Sequence, residues 1–201
     1  MNVAEANDYL DLLLDKADQP YFTDSEKEIF LNLSITEFIN KYYDKIDFNS
    51  ESRTALTGLY KIVVEDNASI AAWTDPNRYE IVDGQFMYPI AIKLEDNEAE
   101  FKGYKEYIED VSTSDPFNKS DEENPSFVVS NFGIVCNPAP TTYFRMVYLF
   151  RPTVTEVFDD SKIQENYQVE ILNIAARKML ANIENPSYEM QINETERGIN
   201  Q

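Results

Sequence analysis

The feature that most constrains this chain is a change of apolar period along its length. Spacing of three and four at both ends brackets a middle of short β-like runs. Val3, Ala6, Leu10, Leu13 and Ala17 recur at three and four, with Leu14 widening the stripe, which predicts a helix over 2–17. Asp18-Gln-Pro20 ends it. Thr23 or Asp24 then supplies an N-cap, and Ser25-Glu-Lys-Glu28 places acids in a first turn. Leu31, Ile35, Phe38, Ile39, Tyr42 and Ile46 mark the apolar face of this second helix, expected over 25–46. The short proline-containing link between the two predicts an antiparallel helical hairpin. A shorter helix over 50–59 opens at Asn49 or Ser50.

From about 61 to 152 the reading changes to strands. Lys61-Ile-Val-Val64 is β-rich and Trp73-Thr-Asp-Pro76 marks a turn. Met87–Leu94, Tyr104–Val111, Phe127–Ser130, Gly133–Cys136 and Thr142–Arg151 follow, each bounded by Gly, Pro, Asn or Asp. Asn131-Phe-Gly133 and Asn137-Pro-Ala-Pro140 read as turns between strands of an antiparallel meander. In the last run Phe144, Met146, Tyr148 and Phe150 alternate with Tyr143, Arg145, Val147, Leu149 and Arg151. That is the pattern of a half-buried strand with both arginines on its other face.

A final helix is expected over 161–184, after the N-cap candidates Asp159, Asp160 and Ser161. Val169, Leu172, Ala176, Met179 and Ile183 recur at three and four, and Asn185-Pro186 stops it. The polar segment 187–201 has no periodicity and reads as an extended tail. The fold class is therefore α+β: an N-terminal helical hairpin, an antiparallel β-rich middle, a long C-terminal helix and an extended tail. No repeat and no clear linker interrupts residues 1–186, which read as a single domain. The most loop-like stretch is 112–126.

Composition narrows the function. The chain has 201 residues, with 37 Asp+Glu against 17 Lys+Arg, a formal net charge of −20, no histidine and one cysteine. Such a chain does not bind nucleic acid by neutralising phosphates with a basic face. It also has no imidazole general base and no imidazole metal ligand. Yet 43% of residues are hydrophobic and 13% aromatic, whereas acidic disordered chains are poor in both. The expectation is a folded, acidic protein that is not an enzyme. Cys136, in the apolar run Phe132-Gly-Ile-Val-Cys, forms no intramolecular disulfide, and its burial as a small hydrophobe outweighs a reactive thiol. The N-terminus lacks the cationic region of a signal peptide, and no apolar run approaches the ~20 residues of a membrane span.

No phosphate loop, dinucleotide fingerprint or nucleophile elbow is present. Asp121-Glu122-Glu123, Glu95-Asp96, Glu98, Glu100 and Asp159-Asp160 carry oxygen ligands for Ca²⁺ or Mg²⁺, but without the alternating spacing that wraps one ion. They read as solvated loop and helix-cap acids. A carboxylate pair for glycoside hydrolysis is not a matter of sequence spacing, and nothing else marks a pocket for it. Tyr42-Tyr43, Trp73, Tyr79, Phe86, Tyr88, Tyr104 and Tyr107 are candidates for a stacking platform, but such platforms normally add a positive groove. Core packing or subunit interfaces suit them better. Arg145, Arg151, Arg177 and Lys178 suit local salt bridges and the acids of a neighbouring subunit equally. No catalytic, cofactor-binding or metal-ligating residue is assigned.

The order of segments resembles a family. Asn7-Asp-Tyr-Leu-Asp-Leu-Leu-Leu-Asp-Lys16 and Tyr21-Phe-Thr-Asp-Ser-Glu-Lys-Glu-Ile-Phe-Leu-Asn32 open the chain. Asp115-Pro-Phe-Asn-Lys119, an acidic loop ending at Pro125, and Tyr148-Leu-Phe-Arg-Pro152 occupy its middle. Val157-Phe-Asp-Asp160, Ile174-Ala-Ala-Arg177 and Ile183-Glu-Asn-Pro-Ser-Tyr188 close it. This is similar to the head-to-tail connector (neck adaptor or ring) proteins of tailed bacteriophages, with those of crAss-like phages nearest. The stretch 65–86 diverges most.

The resemblance implies a virion structural protein. Such a protein forms a ring, usually of twelve copies, in the neck between the portal and the tail, is assembled in the host cytoplasm, and has no cofactor. Its partners are expected to be itself, the portal protein and tail or neck proteins, with no membrane. The genome passes through the channel on ejection without specific nucleic-acid binding. The alternative from another class is an acidic DNA mimic or inhibitor that binds a nucleic-acid-processing enzyme.

Overall fold

Each helix begins where a side chain satisfies the backbone N–H groups that have no intrahelical partner. The side chain of Asn2 accepts from the N–H of Glu5, and Glu5 returns the bond to the Asn2 N–H, so α1 runs Val3–Leu13. Thr23 and Glu26 repeat this reciprocal cap ahead of α2, Asp24–Tyr43. Asn49 caps α3, Ser50–Leu56, which tightens into a 3₁₀ turn at Thr57–Leu59. Then come β1 (Tyr60–Asp66), α4 (Asn67–Ala71), β2 (Arg78–Tyr79), β3 (Phe86–Asp96), β4 (Glu100–Gly103) and β5 (Lys105–Glu106). The order finishes with β6 (Ser126–Ser130), β7 (Gly133–Asn137), β8 (Tyr143–Phe150), α5 (Val154–Phe158) and α6 (Glu165–Ile183). The computed structural model describes residues 1–14, 22–73, 75, 78–81, 84–96, 100–103, 105–106, 126–130, 133–137, 139–140 and 143–183. The expected tail at 187–201 and loop at 112–126 lie outside these, apart from Ser126.

The architecture is α+β. Where the sequence shows no linker, the chain divides into two units: Met1–Leu59 with Pro152–Gln201, and Tyr60–Arg151. The first is helical. In it α2 packs on α3, α5 and α6, and α1 packs on α5 and α6. Leu10, Leu31, Ile35, Phe38, Leu56, Phe158, Ile171 and Met179 are almost wholly removed from water. Each such side chain contributes on the order of 1.5–3 kcal/mol by burial. Phe38, Tyr42 and Tyr167 form an aromatic cluster with ring centroids 4.7–5.9 Å apart.

The end of this unit differs from the expected helix over 161–184. Thr153 and Glu156 form a third reciprocal cap and start the short α5, and the chain turns at Ser161 with φ 52°. The long helix therefore begins at Glu165, and Asp159, Asp160 and Ser161 do not cap it. Buried Gln168 holds the turn by donating from Nε2 to the carbonyls of Val157 (2.8 Å) and Ile163 (3.0 Å). Asp159 instead accepts from the N–H of Val3 at 2.8 Å, capping the start of α1 from 156 residues away in sequence. Helix α2 stops at Tyr43, short of the expected Ile46, in a run of turns.

The second unit holds two four-stranded sheets, in the orders β1-β8-β3-β4 and β2-β7-β6-β5. The expected meander is thus divided. β6 and β7 form a hairpin in one sheet, whereas β7 and the next strand, β8, belong to different sheets. Every pairing is antiparallel except β5 with β6. Strand β8 follows its alternation: Phe144, Met146, Tyr148 and Phe150 are buried, Arg145 and Val147 half-buried on the opposite face. Leu149 departs from it and is also buried. Trp73, Tyr79 and Phe144 meet with centroids 5.2–5.6 Å apart, joining β2 of one sheet to β8 of the other.

Candidate functional site

Among the described residues, the sequence candidates stand apart from one another and do not converge on one centre. Cys136 is fully buried, and desolvation pushes its thiol up to about 12, so it is not an exposed thiolate. Asp159 and Asp160 are exposed, with one Asp159 oxygen used in the cap described above. Asp121, Glu122, Glu123 and Glu98 lie outside the described residues. So do the side chains of Glu95, Asp96 and Glu100. Among the described residues no three potential metal ligands converge. No helix among them is long and apolar enough to cross a membrane.

The aromatic candidates do not form one platform. Tyr42 belongs to the helical cluster, Trp73 and Tyr79 to the cluster between the sheets, and Phe86 packs on Tyr148 at 5.2 Å. Tyr104 and Tyr107 lie outside the described residues. Among the cations, Lys178 pairs with Glu37 at 2.5 Å, and Arg177 donates from Nε to the carbonyl of Asn173. Arg145 is half-buried on β8, and Arg151 is exposed just past the strand.

The helical unit is braced by ion pairs that bridge elements. Lys41 Nζ meets one oxygen of Glu170 (2.5 Å) and the Tyr42 hydroxyl donates to the other (2.8 Å), locking α2 to α6. Burial and the adjacent Glu170 carboxylate together raise the Tyr42 phenol well above its ordinary value. Lys27, 2% exposed, donates to Asp11 at 2.6 Å and so ties α2 to α1.

Between α1, the start of α2 and α5 lies an open cleft of about 450 Å³. Val3, Ala4, Leu31 and Val154 give it apolar walls, and Asp24 and Glu28 line it with carboxylates. No protein-family model and no curated protein sequence matches this chain. Its function is therefore argued from its own residues.

Two features of this unit have no counterpart in the sequence reading. Lys27 stands in a polar first turn, as a solvated lysine would, yet it is buried, and its partner Asp11 lies 16 residues away, beyond the reach of local pattern. Phe48, at 91% exposure, is the most exposed large apolar residue described. Its signal was legible: an aromatic among Asp44, Lys45, Asp47 and Asn49, outside any periodic stripe.

Proposed function

We propose that this chain is a structural subunit of a phage virion. In this reading it forms a homo-oligomeric ring, of about twelve copies, in the neck between portal and tail, and the ring is a passive channel for genome ejection. The observation that carries the reading is the segment order, which resembles that of head-to-tail connector proteins over nearly the whole chain. Two properties support it. A helical unit cross-braced by Lys27–Asp11, Lys41–Glu170 and Lys178–Glu37 is a stiff block suited to stacking beside copies of itself. Charge is the second. The helical unit holds 9 Lys+Arg against 21 Asp+Glu, and the β unit 8 against 16, so both are net acidic. A lumen lined by either repels a polyanion within the ~8–10 Å over which salt leaves charges visible. A basic lumen would gain affinity at each phosphate and retard the genome.

Reconstruction of virions carrying the chain, or of the chain co-expressed with its portal, tests this. The expected result is a closed ring below the portal with carboxylates facing the channel. A lumen lined mainly by Lys and Arg would remove the passive-channel mechanism. A chain absent from virions, and found instead bound to a nucleic-acid-processing enzyme, would replace the reading with the DNA mimic.

A further inference from the structure

Strand β1 ends its sheet, with β8 on one side and no described strand on the other. An edge of that kind offers a row of backbone N–H and C=O groups to any chain that comes alongside. Proteins ordinarily blunt it by brevity, proline, bulges or charge. The other edge strands here are short: β2 and β5 have two residues each, and β4 has four. β1 has seven, Tyr60-Lys-Ile-Val-Val-Glu-Asp66, with neither proline nor glycine, and it pairs with β8 over its whole length without a bulge. One of its faces is apolar and open to water. Ile62 and Val64 there are 57% and 51% exposed, although β-branched side chains pack best on a half-buried pleated surface.

The sequence of β1 complements itself. An antiparallel copy related by a two-fold axis through Val63 sets Lys61 opposite Glu65, Ile62 opposite Val64 and Tyr60 opposite Asp66, and each of these pairs occurs twice. Directly opposed side chains share a face, with Cβ atoms ~4.5–5.5 Å apart. The exposed Ile62 and Val64 of one copy therefore cover those of the other, and on the opposite face each Glu65 carboxylate meets a Lys61 ammonium. Glu65 makes no ion pair among the described residues. Lys61 donates to Gln85 Oε1 at 3.1 Å and lies over the Phe150 ring, and the several N–H groups of an ammonium serve more than one acceptor. Neighbouring two-fold registers lose the match. Centred on Ile62 or on Val64, they set Lys61 or Glu65 opposite Val63.

We infer that β1 of the free chain pairs antiparallel with β1 of a second copy about Val63, joining their four-stranded sheets edge to edge into one continuous sheet. The contact is isologous and closes on two copies. It goes beyond the ring reading and does not rest on it: it describes how a free subunit covers its open edge, not which surfaces link the members of a ring.

Sedimentation velocity of the full chain at physiological ionic strength, in a series of concentrations reaching millimolar, tests it. Circular dichroism is recorded alongside to confirm that each variant is folded. Wild type is expected to form a dimer. Val64→Lys sets a cation against Ile62 of the other copy at both ends of the contact and is expected to weaken dimerisation roughly tenfold or more. Lys61→Glu and Glu65→Lys each oppose like charges and weaken it too, whereas an equimolar mixture of these two variants restores both ion pairs and dimerises better than either alone. Val63→Cys is expected to cross-link to its own copy under mild oxidation, because directly opposed Cα atoms lie ~4.5–5.5 Å apart, within disulfide reach. Buried Cys136 offers no competing thiol. A wild-type chain that stays monomeric throughout refutes the pairing and leaves the edge to some other chain. A dimer that Val64→Lys and both charge variants leave unchanged refutes it as well. A mixture no better than its components, or a dimer of Val63→Cys that does not cross-link, refutes the register on which the inference stands.

Discussion

Replacing Asp11 by Ala removes the carboxylate that faces a lysine with almost no access to water. Lys27 is 2% exposed, its ammonium lies 2.6 Å from Asp11 Oδ2, and its other carboxylate neighbour, Asp24, is at 3.5 Å with a side chain 80% exposed. Breaking a buried pair by deleting one partner costs about 3–5 kcal/mol, because the surviving charge is left desolvated. Asp24 offsets little of this, since an exposed ion pair contributes under ~1 kcal/mol. We therefore expect Asp11→Ala to destabilise the fold by about 3 kcal/mol. In a chain of this length that lowers Tm by roughly 6–12 °C.

The paired replacement Asp11→Leu/Lys27→Met carries the opposite expectation. Asp11 Oδ1 has no hydrogen-bond partner among the described residues, so the native pair already contains a poorly satisfied oxygen. Apolar side chains of similar volume remove both desolvated charges at once, and such exchanges are often neutral or stabilising. The measurement is a double-mutant cycle in urea, with m compared between variants to confirm that the unfolding transition is the same. Single variants within 0.5 kcal/mol of wild type would refute the reasoning. So would a double variant as damaged as the worse single one.

Gly133 has φ 143°, and a Cβ there would lie 2.1 Å from the carbonyl oxygen of Tyr79, so Gly133→Ala should cost about 2 kcal/mol or more by thermal unfolding. Gly84→Ala, with nothing within 4 Å, should be near neutral and serves as its control. The Cys136 thiol, pushed up to about 12, should resist a disulfide reagent at pH 8 in the native protein and react at once in denaturant; rapid native labelling would contradict its burial. The Tyr42 phenol titrates above its ordinary value of 10, so its share of stability is complete below pH 10 and is lost as pH rises further. Tyr42→Phe should therefore cost about 1.5–3 kcal/mol at neutral pH, by loss of the bond to Glu170, and flatten the alkaline decline. Self-association of a chain this acidic should strengthen as salt rises from low ionic strength, since screening relieves repulsion between copies; phosphate contacts would weaken instead.

The sequence was a good guide wherever one local pattern decided the structure. The cap at Thr23, the stripe of α2 and the alternation of β8 each follow from residues a few positions apart, and each is where the pattern puts it. Errors arose where a residue serves a distant partner. Asp159 and Asp160 resemble the start of a helix, yet Asp159 caps α1, and only the tertiary fold brings Val3 to it. The true signal, Thr153 with Glu156 three residues on, lay just upstream and marks a helix too short to show a period. The sequence runs 131–133 and 137–140 read alike as turns, yet β6 and β7 share a sheet whereas β7 and β8 do not, a difference that no local pattern carries. The same limit hid the Asp11–Lys27 pair.

Cations in this chain are scarce relative to carboxylates, so where they are placed is informative. Lys27, Lys41 and Lys178 each join two helices of one unit, and Arg53 clamps the turn that follows α2. Spending positive charge on internal braces leaves the outer surface of the helical unit dominated by acids. A surface of that kind repels copies of itself at a distance, and association then depends on contacts of short range: an apolar anchor, a matching recess and one or two opposed charges. An excess of carboxylates this large thus requires that any ring the chain forms be held by a few well-defined contacts of short range, each strong enough to outweigh the repulsion between copies.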